Sequence, residues 1–321
     1  MKLKKRIVFD CDCTMGVAGC DVDDGLALLY LLGCPEAELL GITASYGNSR
    51  MDVVWDTVKT VVREIGLTGI PIRRGGESAG CTRSEAAGFL AEMVNRYPGE
   101  VSVLATGSLT NLMGAWEKDP DFFEKAGEIV LMGGITEPLL FAKKKMNELN
   151  FSCDPKAAFL VLTEGKRVSV ITGNNCLKVL FTKEDYRNSL FLKKEGAAEY
   201  IRKKTDYWFQ YNEEDYGIQG FYNWDVTAAV YLMRPELFED SLETFCLSAG
   251  DLKTGYLRRE GIETEENTRE CQSGTEEDQR DRKKKCMLNL PIVREEKTFK
   301  NEIYRAWKQV RIPALKAGYT E

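Results

Sequence analysis

Arg6-Ile7-Val8-Phe9-Asp10-Cys11-Asp12, followed by Asp23-Asp24-Gly25-Leu26-Ala27-Leu28-Leu29-Tyr30-Leu31-Leu32, decides the fold. The first apolar run reads as a buried strand, and the second as a helix. Two carboxylates stand at the carboxyl end of the strand, and two more open the helix. In an open α/β sheet that end faces the ligand crevice. The spacing Asp10-x-Asp12 puts both side chains on one face of the strand. Asp24 falls near a helix N-terminus, where negative charge is favoured, and Asp21 adds an acid two residues before Asp23. So many like charges at one crevice mouth require a cation or shifted pKa values. Oxygen-only ligands favour a hard ion, Ca²⁺ or Mg²⁺. The competing reading, that strand-end aspartates merely cap the next turn, loses ground because four acids fall at one βα turn.

Outward from this unit, strands and helices alternate. Short runs rich in Val, Ile and Leu at 6–10, 38–44, 70–73, 101–105, 128–132 and 168–172 read as strands of a sheet covered on both faces. Amphipathic helices are expected near 24–33, 51–65, 84–96, 109–118 and 155–164, with Ser84-Glu85 and Thr182 with Asp185 as helix starts. The rhythm predicts an open, mainly parallel, doubly wound α/β sheet. The second half turns helical at 182–190, 194–211 and 224–233. After Glu243–Ala249 come two β-like runs, 252–258 and 286–293, expected to form a late β-hairpin. The nearly all charged or polar stretch 259–285 between them reads as a solvated loop, and 298–311 as a last helix. No internal repeat or composition break divides residues 1–321, so one domain is expected.

The 321 residues carry a net charge of −6 and 43% hydrophobic residues. The acidic balance argues against nucleic acid or an anionic membrane as partner. No run approaches the about 20 apolar residues of a spanning helix, and the basic start Met1-Lys2-Leu3-Lys4-Lys5 lacks the apolar stretch of a signal peptide. The ten cysteines are scattered and there is no histidine, so no zinc spacing can be completed. Reduced thiols and a cytoplasmic location are expected.

Three later segments bear chemistry. Val103-Leu104-Ala105-Thr106-Gly107-Ser108-Leu109-Thr110-Asn111 runs from a strand through a glycine turn into a helix, exposing backbone groups at the crevice. A plain connection has the same composition. Ile129-Val130-Leu131-Met132-Gly133-Gly134 precedes Glu148-Leu149-Asn150, whose alternation offers a carboxylate and an amide to vicinal hydroxyls. Asp154-Pro155 reads only as a helix start. Asn223-Trp224-Asp225 heads an apolar helix, where an acid is equally a cap, and Trp224 taken alone reads as core more readily than as ligand platform.

The ordered set Asp10-Cys11-Asp12, Asp23-Asp24-Gly25-Leu26-Ala27-Leu28, Gly41-Ile42-Thr43, Gly47-Asn48, Ala105 to Asn111, Val130 to Gly134, Glu148-Leu149-Asn150 and Asp225 resembles the inosine–uridine-preferring nucleoside hydrolase family across nearly the whole chain. The resemblance implies Ca²⁺-dependent hydrolysis of the N-glycosidic bond of ribonucleosides. By position it assigns the metal to Asp12, Asp24, Asp225 and the backbone carbonyl of Thr106, with Asp12 also the base for a metal-bound water. It gives the ribose hydroxyls to Asp23, Asn48, Glu148 and Asn150, and places Asp10 behind them as an orienting group. It also implies a homodimer or homotetramer.

The chain departs from the family in places. Cys13 to Val22 is longer than the family's turn, which leaves the choice among Asp21, Asp23 and Asp24 open. Thr136–Asn147 differs in length, and Gly75–Arg83 lacks the His-Gly loop. Trp224 stands where many members carry the histidine that protonates the leaving base; it can stack on that base, and Tyr216 or Tyr222 could donate the proton. Two rival readings remain at this level. Phe9-Asp10-Cys11-Asp12-Cys13-Thr14 also resembles the opening of haloacid-dehalogenase-like phosphatases, with Asp10 as nucleophile and Mg²⁺ as cofactor. A nucleoside-binding protein without catalysis would account for the missing histidine.

Overall fold

β1 (Lys5–Cys11) is buried from Ile7 onward and pairs in parallel with a strand on each side. In this computed structural model, which describes residues 4–190, 197–260 and 283–313, it lies inside an eight-stranded sheet. β2 (Ala37–Ala44) and β3 (Ile72–Arg74) follow on one side of it. On the other side lie β4 (Val101–Ala105), β5 (Glu128–Met132) and β8 (Val168–Ile171), all parallel. With β10 (Leu242–Leu247) and β11 (Lys284–Asn289) beyond β8, the strand order is β10-β11-β8-β5-β4-β1-β2-β3. The chain therefore reverses its direction of progress between β1 and β4, and such a switch point opens a crevice at the carboxyl ends of the strands.

Alternation along β1 sends its residues into two cores. Ile7 and Phe9 join α1 (Asp23–Leu32), α2 (Met51–Glu64), α10 (Trp224–Met233) and the last helix, α11 (Glu296–Gln309). Val8 joins α3 (Glu85–Arg96), α4 (Thr110–Lys118), α5 (Phe122–Lys125) and α6 (Pro155–Glu164). Ser84 caps α3 through Ala87 N, and Asp154 caps α6 through Ala157 N. Thr182 and Asp185 form a reciprocal capping box on α8 (Lys183–Ser189). α11 lies tightly across α1: Trp307 Nε1 donates to Leu26 O at 3.0 Å, and a Cβ on Gly33 would stand 2.1 Å from Ala306 O.

The late part differs from the sequence expectation. The strand pairing antiparallel with β11 (Lys284–Asn289) is β10 (Leu242–Leu247), so the antiparallel pair uses 242–247 and not 252–258. Residues Asp251–Thr254 form a 3₁₀ turn closed by Gly255 at φ 68°, a conformation that suits glycine, and only single bridges at Tyr256 and Arg259 follow. Residues 261–282 of the expected charged loop lie outside the described residues. Smaller elements among the described residues include a two-residue ribbon of β6 (Leu139–Leu140) with β7 (Lys145–Met146), a pair of β9 (Phe238–Glu239) with β12 (Ile292–Val293), and α7 (Gly173–Cys176). Helix α9 spans Ala197–Asp215, four residues beyond the expected end at 211. Among the described residues no helix is long and apolar enough to cross a membrane, and the cysteines are free thiols.

Candidate active site

The acids quoted first meet at the switch point. Asp10 stands one residue before the end of β1, opposite Ala105, and Thr106 N donates to Asp10 O at 2.9 Å. Asp12 follows the strand and is 0% exposed. Its Oδ2 accepts from Asn48 N at 2.6 Å and its Oδ1 from Asn48 Nδ2 at 3.1 Å, so the loop after β2 holds it from both sides. That loop must come close: a Cβ on Gly47 would stand 1.9 Å from Asp12 Oδ2. Asp24 Oδ1 accepts from Thr106 Oγ1 at 2.6 Å. Asp23 Oδ2 accepts from Asp225 N at 3.0 Å, which joins the start of α1 to the start of α10.

The carboxyls approach one another within hydrogen-bonding reach: Asp12 with Asp24, and Asp23 with both Asp21 and Asp225. No lysine or arginine among the described residues neutralises them. Burial pushes Asp12 up to about 6, against the hydrogen bonds it accepts, and pushes Asp10 up to about 7 against its bonds from Asn111. Burial, reinforced by neighbouring carboxylates, holds Asp21, Asp24 and Asp225 well above the usual carboxylate range. Among the described residues no three His, Cys, Asp or Glu side chains stand as a ready metal-holding group. Asp24 Oδ2 is nonetheless buried with no hydrogen-bond partner, as are Ser45 Oγ and Ser108 Oγ. An uncompensated, oxygen-only donor set with an orphaned carboxylate oxygen fits a hard divalent cation.

Over these acids opens a cleft of about 230 Å³. Asp23, Asn48, Thr106, Glu148, Asn150, Trp224 and Asp225 line it; Asp12, Asp24 and Asp10 lie beneath. Glu148 is tied down more firmly than the alternation suggested. It accepts from Gly134 N (3.1 Å), Phe151 N (2.8 Å) and Ser152 N (2.9 Å), and burial raises its pKa against those bonds. Asn150 Nδ2 donates to Met132 O at 3.0 Å. Asn111 Nδ2 donates to both oxygens of the buried Asp10, at 3.0 and 3.3 Å. That is a poor setting for a nucleophile, so the phosphatase reading loses its central residue.

The sequence profile of inosine-uridine preferring nucleoside hydrolases matches residues 7–295. The chain belongs to that family. The hydrolase is 28% identical to probable uridine nucleosidase 2 of Arabidopsis thaliana over 73% of its own length and 79% of the relative's. It is 29% identical to the inosine-uridine preferring nucleoside hydrolase of Crithidia fasciculata over 53% and 60%. Its fold matches that of a purine-preferring ribonucleoside hydrolase from Gardnerella vaginalis, with TM-score 0.76 at 22% identity over 95% and 99% of the chains. The hydrolase also has a cleft wall that sequence reasoning missed. Trp208 and Tyr211 of α9 stack at 4.9 Å and 9°, and with Tyr216, Leu139 and Met146 they line the cleft. A helix with aromatics on several faces reads as core, and only the 208/211 spacing hinted at a shared stripe. Gly19, Cys20 and Asp21 of the long turn line the cleft as well. Tyr216 lies in the cleft wall, whereas Tyr222 packs against Trp224 at 5.2 Å and Phe141 at 6.0 Å.

Proposed function

We propose that this nucleoside hydrolase is Ca²⁺-dependent and cleaves the N-glycosidic bond of ribonucleosides to free base and ribose, with Asp12 as general base. The observation that carries this reading is Asp12 itself. It is buried at the switch point, oriented through both oxygens by Asn48, and raised to about 6, near the value a base needs at neutral pH. Asp12, Asp24, Asp225 and the carbonyl of Thr106 would hold the cation. When bound, it supplies positive charge that lowers the pKa of a coordinated water.

Asp12 takes the proton of the attacking water as the bond to the base breaks. Asp23, Asn48, Glu148 and Asn150 hold the ribose hydroxyls and fix C1′ over Asp12, which turns remote binding into orientation. Carboxylates around the sugar stabilise its oxocarbenium character. Asp10, behind Asp12 and fixed by Asn111, orients the strand end. Trp224, 8% exposed, stacks on the departing base, but its N–H is too weak an acid to protonate it. Leaving-group assistance is therefore weak, and p-nitrophenyl riboside is cleaved much faster than inosine or uridine. The enzyme works in the cytoplasm as a homodimer or homotetramer. Incubation with mixed ribonucleosides and with p-nitrophenyl phosphate, with and without EDTA, tests the reading. Release of base and ribose, lost on chelation and restored by Ca²⁺, is expected; release of phosphate, or of nothing, overturns it.

A further inference from the structure

Helix α9 ends in Glu213-Glu214-Asp215 and has no basic residue in its last turn. Three acids at the negative end of a helix dipole, beside carbonyls that lack helical donors, are unfavourable unless cations come from elsewhere. They come from the tip of the β6–β7 ribbon. Lys143 Nζ donates to Glu213 O at 2.8 Å and to Glu214 O at 2.7 Å, and Lys143 N donates to Tyr216 O at 3.2 Å. Lys144 pairs with Asp215, and its Nζ stands 4.2 Å from the centre of the Tyr216 ring. Phe141 packs edge-on against the same ring at 5.8 Å. Gly217, at φ +74°, lets the ribbon close in: a Cβ there would meet Ala142 Cβ at 3.1 Å.

The ribbon needs this anchor. Two residues per strand, joined to no other sheet, are marginal alone, and Leu140 is 71% exposed. Yet Leu139 and Met146 line the cleft from the ribbon, while Trp208 and Tyr211 line it from α9 and Tyr216 from just past its end. We infer that Lys143 and Lys144 are positioning residues that latch the ribbon to the carboxyl end of α9 and thereby fix the nucleobase wall of the cleft. The assignment of this wall to the base rests on the hydrolase reading above, in which the ribose lies over the acids. Neither lysine touches the substrate. The latch acts through Tyr216, Leu139 and Met146, so its loss loosens base binding and leaves the acids at the strand ends in place.

The test compares wild type, the double variant Lys143→Ala/Lys144→Ala and the double variant Lys143→Arg/Lys144→Arg. Steady-state kinetics on inosine and uridine are combined with amide hydrogen exchange. The contacts are solvent-exposed and screened, so KM in the alanine variant is expected to rise on the order of fivefold with kcat little changed. The arginine variant keeps both charges and is expected to restore KM. Exchange should quicken in 139–146 and 213–217 and stay unchanged in β1 and α1. Wild-type KM in the alanine variant overturns the inference. So does a fall in kcat with faster exchange throughout and no rescue by arginine, which marks a general structural defect. If wild type releases no base from any nucleoside, the hydrolase reading fails. Exchange in 139–146 and 213–217 then still decides whether the lysines latch the ribbon.

Discussion

Asp10 and Asp12 are two positions apart and answer to different amides, Asn111 for one and Asn48 for the other. Asp12→Asn removes the base, so kcat should fall by about 10²–10⁴ with the melting temperature near wild type. Asp10→Asn should cost less, because its role is to orient. Near wild-type turnover in Asp12→Asn, with none in Asp10→Asn, would exchange their roles. The two carboxyls also predict a pH dependence for the chelated protein. Their folded values of about 7 and about 6 lie above the unfolded carboxylate value of about 3.9. The folded chain then binds more protons than the unfolded one across that interval, so stability falls as pH rises through it. With metal removed, melting temperature should be higher at pH 5 than at pH 8, and added Ca²⁺ should raise it more at pH 8. A chelated protein equally stable at both would show that these carboxyls are not held as described. At the sugar, a 2′-deoxyribonucleoside leaves the partners of the missing hydroxyl unpaired, and kcat/KM should drop on the order of 10²-fold. Equal rates for ribo- and deoxyribonucleosides would detach Glu148 and Asn150 from ribose recognition. The convergence of the acids was legible in the sequence because Asp-x-Asp at a strand end puts both carboxyls on one face, at the crevice. The threefold backbone anchoring of Glu148 was not, since it depends on Gly134, fourteen residues upstream.

Elements bring these residues together through loops that have no room for a side chain. Gly47→Ala places a methyl group 1.9 Å from Asp12 Oδ2, against a carboxylate that Asn48 already holds. The loop must retreat, and activity should fall by more than about tenfold while helix and sheet content by circular dichroism stay native. Unaltered kcat/KM in this variant would mean that Asp12 need not be held so closely. The βα units were readable because strands covered on both faces are continuous apolar runs. The 252–258 segment misled because Leu252, Tyr256 and Leu257 look strand-like. Leu252 and Leu257 fill the second core from a turn and a loop, while the edge strand forms earlier, at Leu242–Leu247. The aromatic wall of α9 escaped notice for a similar reason: pattern gives the faces of a helix but not which face meets a cleft.

On the scale of the molecule, the chain reverses its progress through one continuous sheet at the switch point, and Asp12, Asp24, Asp23 and Asp225 from β1, α1 and α10 meet there around uncompensated charge. A cation that binds only the folded state adds RT ln(1 + [L]/Kd), about 2.7 kcal/mol at a hundredfold excess over Kd. Calorimetry should therefore show a melting temperature that climbs with Ca²⁺ and falls with chelator. No shift with any divalent ion would remove the metal from the site. The contact of α11 with α1 has a consequence for how the protein is made. Trp307 donates to Leu26 across 281 positions of chain. During synthesis, the helix that presents Asp23 and Asp24 leaves the ribosome long before its buttress, α11. Until α11 emerges, the side of α1 that Trp307 covers lies open, although Asn48, Thr106 and Asp225, the partners of the acids, have already been made. The acids and their partners are made before the helix that buttresses α1, so a nascent chain stalled before Glu296 should be a client for chaperones and not yet an enzyme.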